Sequence, residues 1–114
     1  MNIDIGAITF DCRDAADLAT FWSALLGRTV DDGASSSFAT ISRPSGVALM
    51  FVEVPEPKAT KNRVHLDLHA PDWKDEVERA VALGATHVAD FDEEGTAWAT
   101  LLDPEGNEFD IAAG

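Results

Sequence analysis

His65, Asp67 and His69 alternate along the segment Arg63 to His69, so an extended chain would set all three on one face. A histidine titrates near neutrality, and a carboxylate beside it makes an acid–base pair able to move a proton on a bound molecule. Side chains two apart on a strand start about 6.5–7 Å apart at the backbone, so direct contact needs converging rotamers. Two readings of His65 and Asp67 follow: a catalytic pair, or a polar pair that satisfies itself. His69 falls next to a helix start and is expected to face solvent, and His87 is assigned no role.

Aromatic and polar residues alternate in a second place. Thr96, Trp98 and Thr100 share one face, and Ala97, Ala99 and Leu101 share the other. An indole among threonines suits a half-polar wall on which a planar ligand stacks. In the first half of the chain, Phe38 and Met50 are similar candidates for ligand contact, together with Asp11 on the polar face of its strand. Cys12 lies in the apolar row with Ile8 and Phe10 and is expected to be inert core. The chain contains no Ser-His-Asp ordering, phosphate loop or dinucleotide fingerprint, so nucleophilic hydrolysis and nucleotide chemistry have no support.

The elements that must position these residues occur twice. AITFDCRDAADLATFWSALLG and VHLDLHAPDWKDEVERAVALG each read as an alternating strand, an Asp, and an amphipathic helix ending in Leu-Gly. Asp14 and Asp72 suit the helix N-caps, and Gly27 and Gly84 suit the C-terminal stops. Leu18, Phe21, Trp22 and Leu25 form the apolar stripe of the first helix; Trp73, Val77, Ala80 and Val81 form that of the second. The first strand spans roughly Ile3 to Cys12, with further strands near Thr29 to Asp31, Ser37 to Ser42 and Val47 to Val54. In the second half, strands are expected at Arg63 to His69, Thr86 to Phe91, Thr96 to Leu102 and Glu108 to Ala112. Asp32-Gly33, Pro44-Ser45-Gly46 and Asp103-Pro104-Glu105-Gly106-Asn107 supply turns.

This pattern predicts an α+β domain over 1–114, built of two tandem βαβββ modules, about 1–54 and 63–114, with a Pro-containing linker at 55–62. Each module is too small to be stable alone. The helices are expected on the convex side of a curved mixed sheet or half-barrel, and the row His65, Asp67, His69 on the other side. That row would face either solvent, as in a one-layer antiparallel sheet, or a cavity enclosed by paired modules.

Composition narrows the partners. There are 21 acidic residues against 8 basic ones, for a net charge of −13. That sign repels phosphate backbones and argues against nucleic acid. Lys58, Lys61 and Arg63 cluster at the junction, as a solvated linker or a patch that steers an anion. No run approaches the roughly 18 apolar residues of a membrane helix, and MNIDIGA lacks a signal pattern. The single cysteine excludes an internal disulfide and fits a reducing cytoplasm.

Three strings, FWSALLG, KNRVHLDLHAPD and WATLLDPEGNEFDI, occur in an order and spacing similar to the glyoxalase-like members of the vicinal oxygen chelate superfamily. The resemblance spans nearly the whole chain and implies the duplicated fold more firmly than any chemistry. Metal enzymes of the superfamily place a ligand at the start of each module's first strand and another on each last strand. His65, seven residues before Asp72, matches the first position, and Asp110 of NEFDI matches the second. The module-one counterparts are Ala7 and Met50 or Val52, which are not ligands for a hard metal. The resemblance thus implies two of four ligands, His65 and Asp110, with Asp67, His69 or Glu53 as an off-pattern third. A catalytic metal normally has three protein ligands, so no cofactor is expected; a divalent metal, if bound, would use His65 and Asp110.

The functional expectation is a metal-independent small-molecule binder or sequestering protein, like bleomycin-resistance relatives, with His65, Asp67, Trp98, Phe38, Met50, Asp110 and Asp11 as candidate site residues. The alternative is a glyoxalase-like lyase or isomerase, metal-assisted or using His65 as an acid–base catalyst; a ligand-free interaction module is the third possibility. Open sheet edges and the habit of relatives point to a homodimer.

Overall fold

The computed structural model describes residues 2–42 and 46–114, so Pro44 and Ser45 of the expected turn lie outside the described residues. The chain divides into two compact units, Met1–Pro57 and Lys58–Gly114.

In the first unit, β1 (Ala7–Cys12) leads into α1 (Ala15–Leu26), followed by β2 (Phe38–Ile41) and β3 (Ala48–Glu53). The sheet order is β1-β3-β2, with β1 parallel to β3 and β2 antiparallel to it. Asp14 caps α1, its Oδ1 accepting from the Asp17 N–H at 3.1 Å, and Gly27 ends the helix in the left-handed conformation that a side chain would strain. The expected α1 stripe is buried: Leu18, Phe21, Trp22 and Leu25 are all core, joined by Ala15 and Ala19. Phe10 lies 5.4 Å from the Trp22 ring and stacks on Phe51 at 5.2 Å, which fixes the α1 side of the sheet. Cys12 is buried, as its place in the Phe10 row requires.

One expected strand is absent. Thr29 to Asp31 makes no strand, although the Asp31 N–H donates to the Thr40 carbonyl at 2.9 Å. Side chains replace a ladder there. Arg28 donates to the carbonyls of Val47 and Ser42 at 3.1 and 2.8 Å, and Asp31 accepts from the hydroxyls of Thr40 and Ser42. Among its described residues the first unit is therefore βαββ.

The second unit has the full βαβββ order: β4 (Leu66–His69), α2 (Trp73–Leu83), β5 (Thr86–Glu93), β6 (Thr96–Leu102) and β7 (Glu108–Ala112). Its sheet runs β4-β7-β6-β5, with only the β4–β7 pair parallel. Leu101, Phe109, Ile111 and Ala99 form the buried face. The β6–β7 turn closes on a buried carboxylate: Asp103 Oδ1 accepts from the N–H groups of Glu105 and Asn107 at 2.9 and 3.0 Å. That turn sets the register of the two strands that carry Trp98, Thr100 and Asp110.

Helix α2 is a weaker copy of α1. Asp72 makes no side-chain cap bond, and only Val77 and Ala80 are buried. Val81, expected in the core, is 44% exposed. It follows Ala80 by one residue, about 100° further round the axis, and so leaves the sheet-facing stripe. Val64, expected on the apolar face of β4, precedes the strand and is exposed, because pairing with β7 begins at Leu66.

Candidate functional site

The register of the second sheet assembles two rows on the face away from α2. Asp67 pairs with Asp110, Asp110 with Thr100, and Thr100 with Ala89; the next row is His69, Ala112, Trp98 and Phe91. Side chains at paired positions share a face, so the ladder brings Asp110 beside Asp67 from a strand more than forty residues away.

His65, just ahead of β4, turns its ring into the first row. Its Nε2 lies 3.2 Å from Asp67 Oδ1 and 3.4 Å from Asp110 Oδ2. Thr100 Oγ1 donates to the other Asp110 oxygen at 2.7 Å, which orients that carboxylate. Exposure falls from 59% at Asp67 through 40% at His65 to 19% at Asp110, so Asp110 is the sheltered end of the cluster. One imidazole nitrogen shared by two carboxylates leaves the group net negative in either protonation state. Such a group attracts a cation, metal or organic.

The donor set also fits a divalent ion. His65, Asp67 and Asp110 each offer one atom, all within 4.8 Å of one another. One nitrogen and two oxygens make the three-ligand minimum of an open metal site. Within the second unit, Asp67 is thus the third donor brought into reach, rather than His69.

Trp98 is half-buried, and Phe91 stacks on it at 5.2 Å and 18°. Sequence reasoning gave Phe91 no role, since the pairing that sets it opposite Trp98 spans a hairpin. The two rings form an apolar shelf in the row adjoining the cluster. His69, exposed, lies in the row of Trp98 and outside the cluster.

In the first unit, the face away from α1 carries two comparable rows: Thr9, Met50 and Thr40, then Asp11, Val52 and Phe38. Asp11 and Phe38 are exposed and Met50 is half-buried. Asp31, missed as a candidate, adds a carboxylate bound to Thr40. Hydrogen bonds from the Ser42 and Thr40 hydroxyls, with help from the Ser42 N–H and Arg28, outweigh its desolvation and lower its pKa below the usual carboxylate value. Its hydroxyl partners distinguish it from the two-carboxylate cluster of the second unit.

Lys58 is not free to steer an anion. Its Nζ pairs with Glu108 Oε1 at 2.8 Å, and the Asn62 N–H donates to Glu108 Oε2 at 2.8 Å. Glu108 therefore clamps the segment leading to His65 onto β7. Desolvation opposes its charge, but the Lys58 hydrogen bond, the Asn62 N–H and the Lys58 charge prevail and lower its pKa. A carboxylate with a depressed folded-state pKa stabilises the fold above its unfolded pKa, and that gain is lost as pH falls through the folded value. Accordingly, Glu108→Gln is less stable than the parent at neutral pH, and the two converge in acid. Urea midpoints across pH check this; a gap independent of pH would contradict it.

The strand–helix arrangement, repeated in the two units, defines a class, the α+β fold shared with solved glyoxalase/bleomycin resistance/dioxygenase structures. The chain belongs to the glyoxalase-like domain family, which it matches over residues 7–112. Among solved structures it is similar to a glyoxalase/bleomycin resistance protein/dioxygenase family enzyme from Burkholderia phytofirmans PsJN, with 21% identity, 97% of this chain and 98% of that one covered, and a TM-score of 0.78. A mutant of the genomically encoded fosfomycin resistance protein of Listeria monocytogenes, complexed with Mn(II) and 1S,2S-dihydroxypropylphosphonic acid, is 14% identical, with 100% and 91% covered and a TM-score of 0.79. The bleomycin-binding protein of Streptomyces verticillus, complexed with copper(II)-bleomycin, is 18% identical, with 100% and 99% covered and a TM-score of 0.67. These likenesses establish the fold. No curated protein matches the chain. Among the described residues, no helix is long and apolar enough to cross a membrane.

Proposed function

We propose that the chain binds a small organic molecule carrying a cationic group and a planar apolar part, and sequesters it without chemical change or a metal. The observation that carries this reading is the acidic cluster beside an aromatic shelf: His65, Asp67 and Asp110 for the cation, Trp98 and Phe91 for the plane. The similar bleomycin-binding protein, complexed with copper(II)-bleomycin, supplies the first ligand to try. Metal independence is supported by the exposure of His65 and Asp67, which makes for a weak three-donor site. Calorimetry with bleomycin and a panel of aromatic amines tests the proposal; no binder across the panel overturns it. For a verified ligand, Trp98→Ala costs about 1–3 kcal/mol of affinity, the scale of a buried aromatic contact. Unchanged affinity in that variant would remove the shelf from the site.

A second reading is favoured by the three-donor geometry. In it the protein is a lyase or isomerase, with a divalent ion held by His65, Asp67 and Asp110. Such an ion would act as a Lewis acid on a substrate oxygen. In a metal-free variant of that reading, His65 moves a proton while Asp67 and Asp110 orient its ring. Stoichiometric divalent metal in the purified protein, lost in His65→Ala, would establish the metal-assisted form.

We infer in addition that the chain works as a homodimer, since β5, on the outside of its sheet, pairs on one side only among the described residues, and that it works in the cytoplasm, which its single free cysteine fits. Light scattering is expected to give twice the chain mass; the monomer mass at micromolar concentration contradicts the dimer.

A further inference from the structure

A groove of about 750 Å³ separates α2 from the β5–β6 hairpin at the outer edge of the sheet; it lies mainly on the face opposite the cluster, with Phe91 reaching it at the strand edge. Its cause is legible in the register. Ala97 and Ala99 look toward α2, and their partners across the hairpin are Asp92 and Asp90. Ala97, which lines the groove, is too small to fill the space below the helix, and two carboxylates stand where a helix-facing strand would carry apolar residues. Polar groups at such positions weaken packing against the helix and leave the space between them open. From the helix side, Trp73 and Val77 line the same space.

The charges of this groove are unbalanced. Glu78, Asp90 and Asp92 line it against Lys74 and His87. His87 Nε2 pairs with Asp90 at 2.7 Å, whereas Glu78 and Asp92 have no ion-pair partner among the described residues. Lys74 Nζ rests over the Trp73 ring, 5.7 Å from its centroid, so the face of that indole is open to a cation and already holds a tethered one.

We propose that the groove between α2 and β5 is a second binding site, for a small organic ammonium ion with an aromatic or aliphatic body. The apolar body lies on Trp73 and Val77, and the ammonium displaces Lys74 and meets Asp92. The volume is that of a small-molecule site, and mixed apolar and acidic walls select a cation over a neutral molecule of the same shape.

The test is a titration of the full chain with phenethylammonium, followed by backbone amide NMR, with phenethyl alcohol as the neutral counterpart. Saturable shifts are expected at Trp73, Val77, Asp92 and Ala97, with a Kd on the order of 1 mM for so small a ligand. The alcohol binds about tenfold more weakly or worse, and Asp92→Asn weakens the amine about tenfold. Lys74→Ala, which removes the resident cation, tightens the amine severalfold. Any one of three results overturns the proposal: equal binding of alcohol and amine, shifts confined to the rows of Asp110 and Trp98, or weaker amine binding in Lys74→Ala. No saturable shift at all overturns it as well.

Discussion

Trp22→Ala lowers the unfolding free energy of the chain by about 3–5 kcal/mol, the range of a fully buried large aromatic truncated in place. The indole is 1% exposed and meets Phe10 and Phe21 at 5.4 and 5.5 Å, so its removal leaves a cavity that rigid rings refill poorly. A loss of this size is a large share of the 5–15 kcal/mol typical of whole domains, and urea unfolding followed by circular dichroism reads it directly. Val81→Ala on α2 is the internal comparison. With Val81 44% exposed, that change stays within about 0.5 kcal/mol. Similar losses in the two variants would mean that the helices are equally well packed, against the burial pattern of α2.

Asp110→Asn weakens a cationic ligand of the cluster about 10- to 30-fold and leaves stability nearly unchanged. The asparagine keeps a carbonyl oxygen to accept from Thr100, so the sheet loses no hydrogen bond. Next to His65, the change replaces a carboxylate by an amide, halving the acidic charge of the cluster at its least exposed member. A neutral analogue of the same ligand separates charge from shape, because its affinity does not respond to the substitution. Calorimetry with and without a chelator divides the two functional readings. Organic-cation binding that survives chelation supports the metal-free one, and binding abolished by chelation supports the metal-assisted one. Equal affinity in Asp110→Asn and the parent would place the cation elsewhere.

Local physics made much of this protein legible before any coordinates. Alternation assigned the faces of β1 and β6, the spacing of Leu18, Trp22 and Leu25 assigned the α1 stripe, and Gly27 and Asp103-Pro104 marked where elements stop. Duplication of the strand–Asp–helix unit and the three matching strings pointed to the family, and strand phase put His65, Asp67 and Trp98 forward as site residues. Each of these signals lies within a few residues of chain, where periodicity and capping act. Other features depended on pairing between distant segments, which one sequence does not encode locally. The ladder decided that Asp110 and Thr100 sit beside Asp67, and that Phe91 stacks on Trp98. The same ladder set Asp90 and Asp92 against two alanines under α2. Side-chain capture by Arg28 and Asp31 replaced the expected strand at Thr29 to Asp31, since backbone propensity is overridden where charged groups reach nearby carbonyls and hydroxyls. The sequence by itself therefore determined the elements, the family and the residue types of the site. Only tertiary structure decided which side chains converge, because convergence depends on strand register and helix packing across tens of residues.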